Sequence, residues 1–294
     1  MKRTSKADIA FEIVNITFIT LLLLSAIYPI YFLFIASVSN PDLVNTGQVI
    51  FVPKMLTFEG YRRIFRDMSI MDGYRNSIIY TLCGTALSVT VVMMAAYAMS
   101  LKKFSLKKPL MTIFIVIMFF NGGMIPTYII VKNLNLVNTP WIMMIMGCVD
   151  VWSIIIARTY IESNLPAELR ESAVMDGCND FRFFFSILVP LSKAIMVVLI
   201  LQRAVGMWND YMTGLIYLRS SGLYPLQLVI QSIIFDVQSK SQILEDVFSN
   251  EERLRIAGLV KYCTIIVSSL PLLILYPFMQ KYFVQGVVMG SLKG

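Results

Sequence analysis

The 294-residue sequence predicts an all-α integral membrane protein with six transmembrane helices, folded as a single domain over residues 1–294. Three observations carry that prediction. Hydrophobic residues make up 57% of the chain against 15% charged, and mean hydropathy is +0.72, too apolar for a chain to stay dispersed in water. The apolar runs are each close to the ~20 residues with which a helix crosses a hydrocarbon core. They are also too uniform for the alternating strands of a membrane barrel, whereas a helix satisfies its own backbone polar groups in lipid.

The spans fall near Val14–Ala36, Tyr74–Ser100, Pro109–Val131, Pro140–Tyr160, Leu191–Leu218 and Ile256–Phe283. Lys2, Arg3 and Lys6 precede the first span as they would in a signal peptide. The apolar run is longer than a signal core, however, and Tyr28-Pro29-Ile30-Tyr31 continues into more apolar residues without a small-x-small cleavage site, so this reads as a retained helix. In span three, Asn121-Gly122-Gly123 and then Pro126 loosen the helix. Irregular backbone at that depth is tolerated only beside protein or water.

Basic residues set the orientation. Lys2, Arg3 and Lys6 lie before span one, and Lys102, Lys103, Lys107 and Lys108 crowd the connection between spans two and three, so both segments are expected in the cytoplasm. Six spans then place the N- and C-termini inside, and Ser39–Gly73 and the 219–255 loop outside. The net charge of +7 reads as cytoplasmic anchoring and gives no reason to expect nucleic acid as a partner.

Several chemistries lack their residues. Histidine is absent, which removes the commonest general base and metal ligand. Cys83, Cys148, Cys178 and Cys263 are too scattered for a metal or redox motif. No catalytic, cofactor-binding or metal residues are assigned. Nor is there a G-x-x-x-x-G-K-[ST] loop to cradle a nucleotide, so any ATP and Mg belong to a partner ATPase.

One polar island interrupts the apolar pattern, the cytoplasmic segment 163–193. Asn164-Leu165-Pro166 opens a short helix with Glu168 and Glu171 near its N-terminus, where the macrodipole favours acids. Asp176-Gly177 makes a sharp turn, since glycine accepts positive φ and leaves room for an approaching partner. Ala173, Val174 and Cys178 suggest a small apolar surface that seats in a groove, and Phe181, Phe183, Phe184 and Phe185 a wedge packed under the bundle. The competing reading is an amphipathic helix lying on the membrane, but acids at its start and few lysines disfavour that.

Residues 168 to 190 resemble the "EAA" coupling loop of membrane subunits of bacterial ATP-binding-cassette importers, with Glu171-Ser172-Ala173 in place of Glu-Ala-Ala, then Asp176-Gly177 and Pro190. The resemblance extends along the chain and is strongest to the carbohydrate-uptake branch. Asn121-Gly122-Gly123-Met124-Ile125-Pro126-Thr127-Tyr128, Trp208-Asn209-Asp210-Tyr211, Tyr224-Pro225-Leu226-Gln227-Leu228 and the Gly290–Gly294 tail carry it. It implies a type I importer (MetI-like) transmembrane domain in the bacterial cytoplasmic membrane, with Glu171, Ala173, Asp176, Gly177 and Pro190 as the ATPase-coupling residues. The implied partners are a paralogous permease in a heterodimer, two ABC ATPase subunits, an extracellular solute-binding protein, an oligosaccharide and membrane lipid.

A sugar pathway needs aromatic faces for pyranose rings and amides or carboxylates for hydroxyls, around a wet cavity. Asn121, Tyr128, Trp208, Asn209, Asp210 and Tyr211 are the candidates, with Trp208 and Tyr211 spaced to share one face of span five. The competing reading makes Trp208 and Tyr211 part of an interfacial aromatic belt. Arg158 and Arg203 are read as snorkelling to the cytoplasmic interface. Two other functions stay open: a permease of the same kind for a peptide or amino acid, and an ion-driven secondary transporter. The second lacks an acidic or histidine relay and an internal repeat.

Overall fold

A computed structural model of the protein describes residues 6–102, 104–120, 122–243, 260–271, 273, 274 and 277. Lys2, Arg3, Lys103, Asn121, residues 244–255 of the predicted outer loop, most of span six beyond 271 and the Gly290–Gly294 tail therefore lie outside the described residues. Among the described residues all regular structure is helical.

In chain order the helices are α1 (Lys6–Ser37), α2 (Pro41–Asn45), α3 (Glu59–Arg66), α4 (Met68–Ser100), α5 (Lys107–Phe119), α6 (Met124–Asn133), α7 (Pro140–Ile145), α8 (Val151–Asn164), α9 (Ala167–Met175) and α10 (Asp180–Phe183). A five-residue π-helical segment, Phe184–Leu188, leads to α11 (Val189–Leu191), α12 (Lys193–Trp208) and α13 (Met212–Tyr217). A 3₁₀ turn at Ser221–Leu223 and α14 (Leu226–Ile243) follow, and a further apolar helix covers Val260–Pro271.

Spans one and two are continuous helices long and apolar enough to cross a membrane alone, Ile9–Ser37 and Met68–Ser100. The next three predicted spans are interrupted. Span three breaks between α5 and α6 with a 118° bend, and Gly123 at the joint takes a φ of +84°. Span four is two helices, because Gly147 turns the chain at φ +65° and the Asp150 side chain restarts it by accepting the Ser153 N–H at 2.9 Å. Hydropathy does not register that break, since Met146-Gly147-Cys148-Val149 is as apolar as a helix interior. Span five ends its long helix at Trp208 and resumes at Met212.

The described chain forms two compact units, one from residues up to Met68 with Ser232–Leu270, the other from Ser69–Gln231 with the residues from Pro271 onward. In the first, Ile35 and Ala36 of α1 pack with Val44 and Val49, and Phe32 meets Tyr262 edge-on at 6.1 Å. Cys263 Sγ donates to the Ser37 carbonyl at 3.2 Å, and the Tyr61 hydroxyl to Ser37 Oγ at 2.8 Å. Most of α1 remains exposed and apolar on all sides, as lipid requires.

The second unit is organised around α4. Gly84 admits α7 and α12 closely: a Cβ there would lie 2.2 Å from Met207 Cε and 3.2 Å from the Met144 Cα. Toward Ser100, the Val92, Met93, Ala96 and Tyr97 side chains join Ile154, Ala157 and Ile161 of α8, Leu199 of α12 and the loop residues Ala173, Phe183, Phe184 and Leu188 in one core. Toward the other end of α4, Tyr80 packs with Val131, Ile142, Met143, Met207 and Tyr217.

Candidate functional site

The 163–193 segment folds as helix, turn and helix. Pro166 stands immediately before α9 with Glu168 in the first turn. At the other end the Cys178 N–H donates to the Ala173 carbonyl at 2.9 Å and the Gly177 N–H to the Val174 carbonyl at 3.0 Å. This pair of bonds is a Schellman closure, and its left-handed residue is Gly177 at φ +77°. No atom lies within 4 Å of where a Gly177 Cβ would stand, so the glycine serves backbone geometry and leaves the outer face clear.

Exposure separates the two faces of α9. Glu171, Asp176 and Gly177 are exposed, Val174 is 51% and Met175 86% exposed. Ala173 is buried and packs inward beside Cys178, which corrects the expectation that it belongs to the outer apolar surface; Val174 and Met175 form that surface. Burial of Ala173 follows from its place in the Schellman closure, where this position contacts the residue after the turn. The aromatic wedge also divides: Phe183 and Phe184 pack on Tyr97 at 5.8 and 6.0 Å, while Phe181 and Phe185 are exposed.

A polar triad ties this loop to the bundle. The Tyr97 hydroxyl, near the end of α4, donates to Asp180 Oδ1 at 2.9 Å and accepts from Arg170 Nε at 3.3 Å. Arg170 Nη2 closes the ring on Asp180 Oδ1 at 3.0 Å. The Arg170 guanidinium, then the Tyr97 hydroxyl, hold the Asp180 carboxyl below its ordinary value of 3.8. None of the three was marked by sequence reasoning. An arginine in α9 followed by Asn179-Asp180 at the next helix start was the available signal, but Tyr97 is distant in sequence.

Pro190 is exposed beyond the π segment. In that segment the Val189 N–H reaches back to the Phe184 carbonyl, widening the turn just ahead of the proline that cannot donate. The chain then bends by 85° into α12 at the fully buried Ser192.

The pathway candidates are brought together only in part. Trp208 is 4% exposed and packs on Tyr74 at 6.2 Å, so it serves the core of this chain and does not face open space. It shares no continuous helix with Tyr211, since α12 ends between them. Asn209 donates its amide to the Val205 carbonyl at 2.9 Å, and Asp210 accepts the Thr213 N–H at 3.0 Å, so these two polar groups close one helix and start the next. Tyr211 is 36% exposed. Tyr128 is stacked on Tyr217 at 5.9 Å, within 3.5 Å of Arg219 Nη2, and packs against the cluster that holds Met207. Asn138 holds this region: its Oδ1 accepts from the N–H groups of Arg219 and Ser220 at 3.0 and 2.9 Å. Asn121 lies outside the described residues.

The two arginines read as snorkelling differ. Arg158, midway along α8, pairs with Glu162 in its last turn at 3.0 Å, and Lys107 at the start of α5 joins the same carboxylate at 2.9 Å. Arg203 instead turns to the break in span four, where its Nη2 donates to the Met146 carbonyl at 2.6 Å and its guanidinium lies over Gly147. A broken helix exposes carbonyls that need donors, and Arg203 meets one.

A membrane domain of broken and continuous helices, carrying one outward-presented helix and turn fastened to its core, is that of a transport permease. The chain belongs to the family described as the binding-protein-dependent transport system inner membrane component, which it matches over residues 88–289. It is 31% identical to the polygalacturonan/rhamnogalacturonan transport system permease protein YtcP of Bacillus subtilis (strain 168), over 97% of this chain and 98% of that protein. It is also 31% identical to protein LplC of the same organism, over 99% of this chain and 97% of that protein. Among solved structures it is similar to a crystal structure of a bacterial ABC transporter involved in the import of the acidic polysaccharide alginate, with a TM-score of 0.87, 30% identity, and coverage of 96% of this chain and 100% of that one.

Proposed function

We infer that this chain is one of two paralogous permease subunits of an ATP-driven importer that carries an oligosaccharide across the bacterial cytoplasmic membrane by alternating access. An extracellular binding protein delivers the sugar. Two separate ATPase subunits, which bind ATP and Mg, grip α9 and the Asp176-Gly177 turn from the cytoplasm, where both termini of this chain also lie. The relatives named for polygalacturonan, rhamnogalacturonan and alginate support an oligosaccharide over a peptide or amino acid. No bond is made or broken in this chain; its work is to change which side of the membrane a cavity opens to.

The observation that carries the reading is the fastening of α9. Glu171, Val174 and Met175 point outward, where a partner can push, while Arg170 and Ala173 on the same short helix are locked into Tyr97, Asp180 and the core. A push on α9 therefore reaches α4 and α12 without passing through a flexible linker. The test is purification of the chain from its native membrane in mild detergent. Recovery of a second permease and a P-loop ATPase, whose turnover rises with an oligosaccharide-loaded binding protein, is the expected result. Recovery of the chain alone under conditions that preserve such complexes overturns the reading.

A further inference from the structure

A cavity of about 170 Å³, apolar on the side of Val89, Val92 and Leu199, opens within the second unit, between the middle of α4, the start of α8 and α12. Ser88, Asp150, Ser153, Gln202 and Arg203 give it its polar lining. At ~1.5 Å per residue, Arg203 stands ~15 Å along α12 from Lys193, and Ser88 ~18 Å along α4 from Ser100, the helix ends beside the 163–193 loop. Both distances place the cavity near the middle of a ~30 Å hydrocarbon core.

Arg203 is the cation of this cavity, and no carboxylate pairs with it among the described residues. One of its donors is spent on the Met146 carbonyl, and its buried Nε has no partner there. The neighbouring acids are committed elsewhere. Asp150 accepts from both the backbone N–H and the hydroxyl of Ser153, Asp210 accepts from Thr213, and both act on Arg203 only through space. A guanidinium at this depth with no carboxylate in direct contact is costly, and ionisable groups so placed mark solute paths. With Nε buried, a solute would meet the Nη side of the guanidinium, where a carboxylate accepts charge-assisted hydrogen bonds that a neutral sugar hydroxyl does not match.

We propose that this cavity is a subsite for an acidic sugar, in which Arg203 takes the carboxylate of a uronate residue and the exposed Gln202 amide meets its hydroxyls. The proposal rests on the oligosaccharide reading above and narrows it to acidic oligosaccharides. Asp150 lines the same cavity and opposes such an anion, so the site sets the attraction of Arg203 against the repulsion of one carboxylate. The net attraction is held moderate, which suits a site that must release its solute.

The test uses the whole complex in lipid nanodiscs, without the binding protein, so that only the membrane subunits select. Trigalacturonate and its methyl ester, which differ in charge at nearly constant shape, are the probes, and binding is followed calorimetrically. In the wild-type complex trigalacturonate should bind at least about tenfold more tightly than the ester. Arg203→Gln should bring that ratio close to one, Arg203→Lys should keep part of it, and Asp150→Asn, which retains the helix cap, should raise it. A wild-type ratio near one, or a ratio unchanged in Arg203→Gln, overturns the proposal; if Arg203→Gln does not assemble, the Arg203→Lys and Asp150→Asn ratios decide. Uptake by wild-type proteoliposomes supplied with binding protein separates the two readings. Transport of a neutral oligosaccharide with no preference for acid sinks only the acidic subsite, whereas no ATP-dependent uptake of any oligosaccharide sinks the underlying reading as well.

Discussion

Tyr97 and Asp180 meet through a 2.9 Å hydrogen bond, which joins the end of α4 to the start of α10, the helix that follows the Asp176-Gly177 turn. Arg170 of α9 bonds both partners, so three helices share one polar joint. The Tyr97 ring stacks at the same place on Phe183, with 5.8 Å between centroids.

Tyr97→Phe keeps that ring packing and removes only the hydroxyl. We expect the complex to assemble and hydrolyse ATP normally while moving several-fold less solute per ATP, because a net hydrogen-bond contribution of about 1 kcal/mol is lost from the joint. Measuring solute moved against phosphate released in proteoliposomes checks this. An unchanged ratio would show that packing alone transmits the movement.

The joint also has a pH dependence. Asp180 titrates below its ordinary value of 3.8 in the folded protein, so its contribution is present above that range and fades as pH falls through the lowered value. Because the carboxylate side is 60% exposed, solvent screens the pair and the effect is small. Asp180→Asn should destabilise the complex at neutral pH and flatten its response to acid, as read by thermal unfolding in detergent between neutral pH and pH near 3. A wild-type protein whose stability responds to acid no more than the variant's would contradict the assignment.

Gly177→Ala places a side chain at φ +77° in open space. The cost is backbone strain of about 1–2 kcal/mol without a clash. Partial loss of uptake is the expected outcome, and Gly177→Pro, which also removes the N–H bonded to Val174, should lose uptake or ATPase binding entirely. Retention of full uptake in vesicles by the proline variant would remove this turn from the coupling path.

Asp210 is the pathway candidate with a visible structural duty, the bond to the Thr213 N–H. Asp210→Asn preserves an acceptor at that position and Asp210→Ala does not, so a purely structural role predicts a loss of about 1 kcal/mol in stability for alanine alone. A pathway role instead predicts altered solute preference in both variants. Comparing the two in a competition uptake assay distinguishes the roles.

Gly84→Val tests the packing of the membrane helices. Met207 meets the would-be Cβ with the far end of a flexible side chain, but Met144 meets it with backbone, at 3.2 Å. We expect overpacking to cost about 1–3 kcal/mol. A lowered midpoint in thermal unfolding of the detergent-solubilised complex checks it, and an unchanged midpoint would mean that α4 and α7 separate easily.

Much of this architecture was legible in order along the chain. Helix class, the continuous first two spans and the helix and turn of the 163–193 loop follow from apolar run length, Pro166 and Asp176-Gly177, all local signals. The break in span three was visible in Gly122-Gly123. The break in span four was not, because Met146-Gly147-Cys148-Val149-Asp150 has the hydropathy of a membrane helix and only the left-handed glycine and the Asp150 cap interrupt it.

By itself the sequence determined that this chain lives in lipid, that it is helical, and where a short exposed helix and turn interrupt the apolar pattern, since those properties depend on composition and on residues a few positions apart. Tertiary structure decided which side chains act together. It turned Ala173 and Trp208 inward, joined Arg170 to Tyr97 across 73 positions, and laid Arg203 against the broken backbone at Met146, 57 positions away. Such pairings depend on how helices pack, and helix packing is fixed by close contacts such as the one at Gly84, whose partners hydropathy along the chain does not specify.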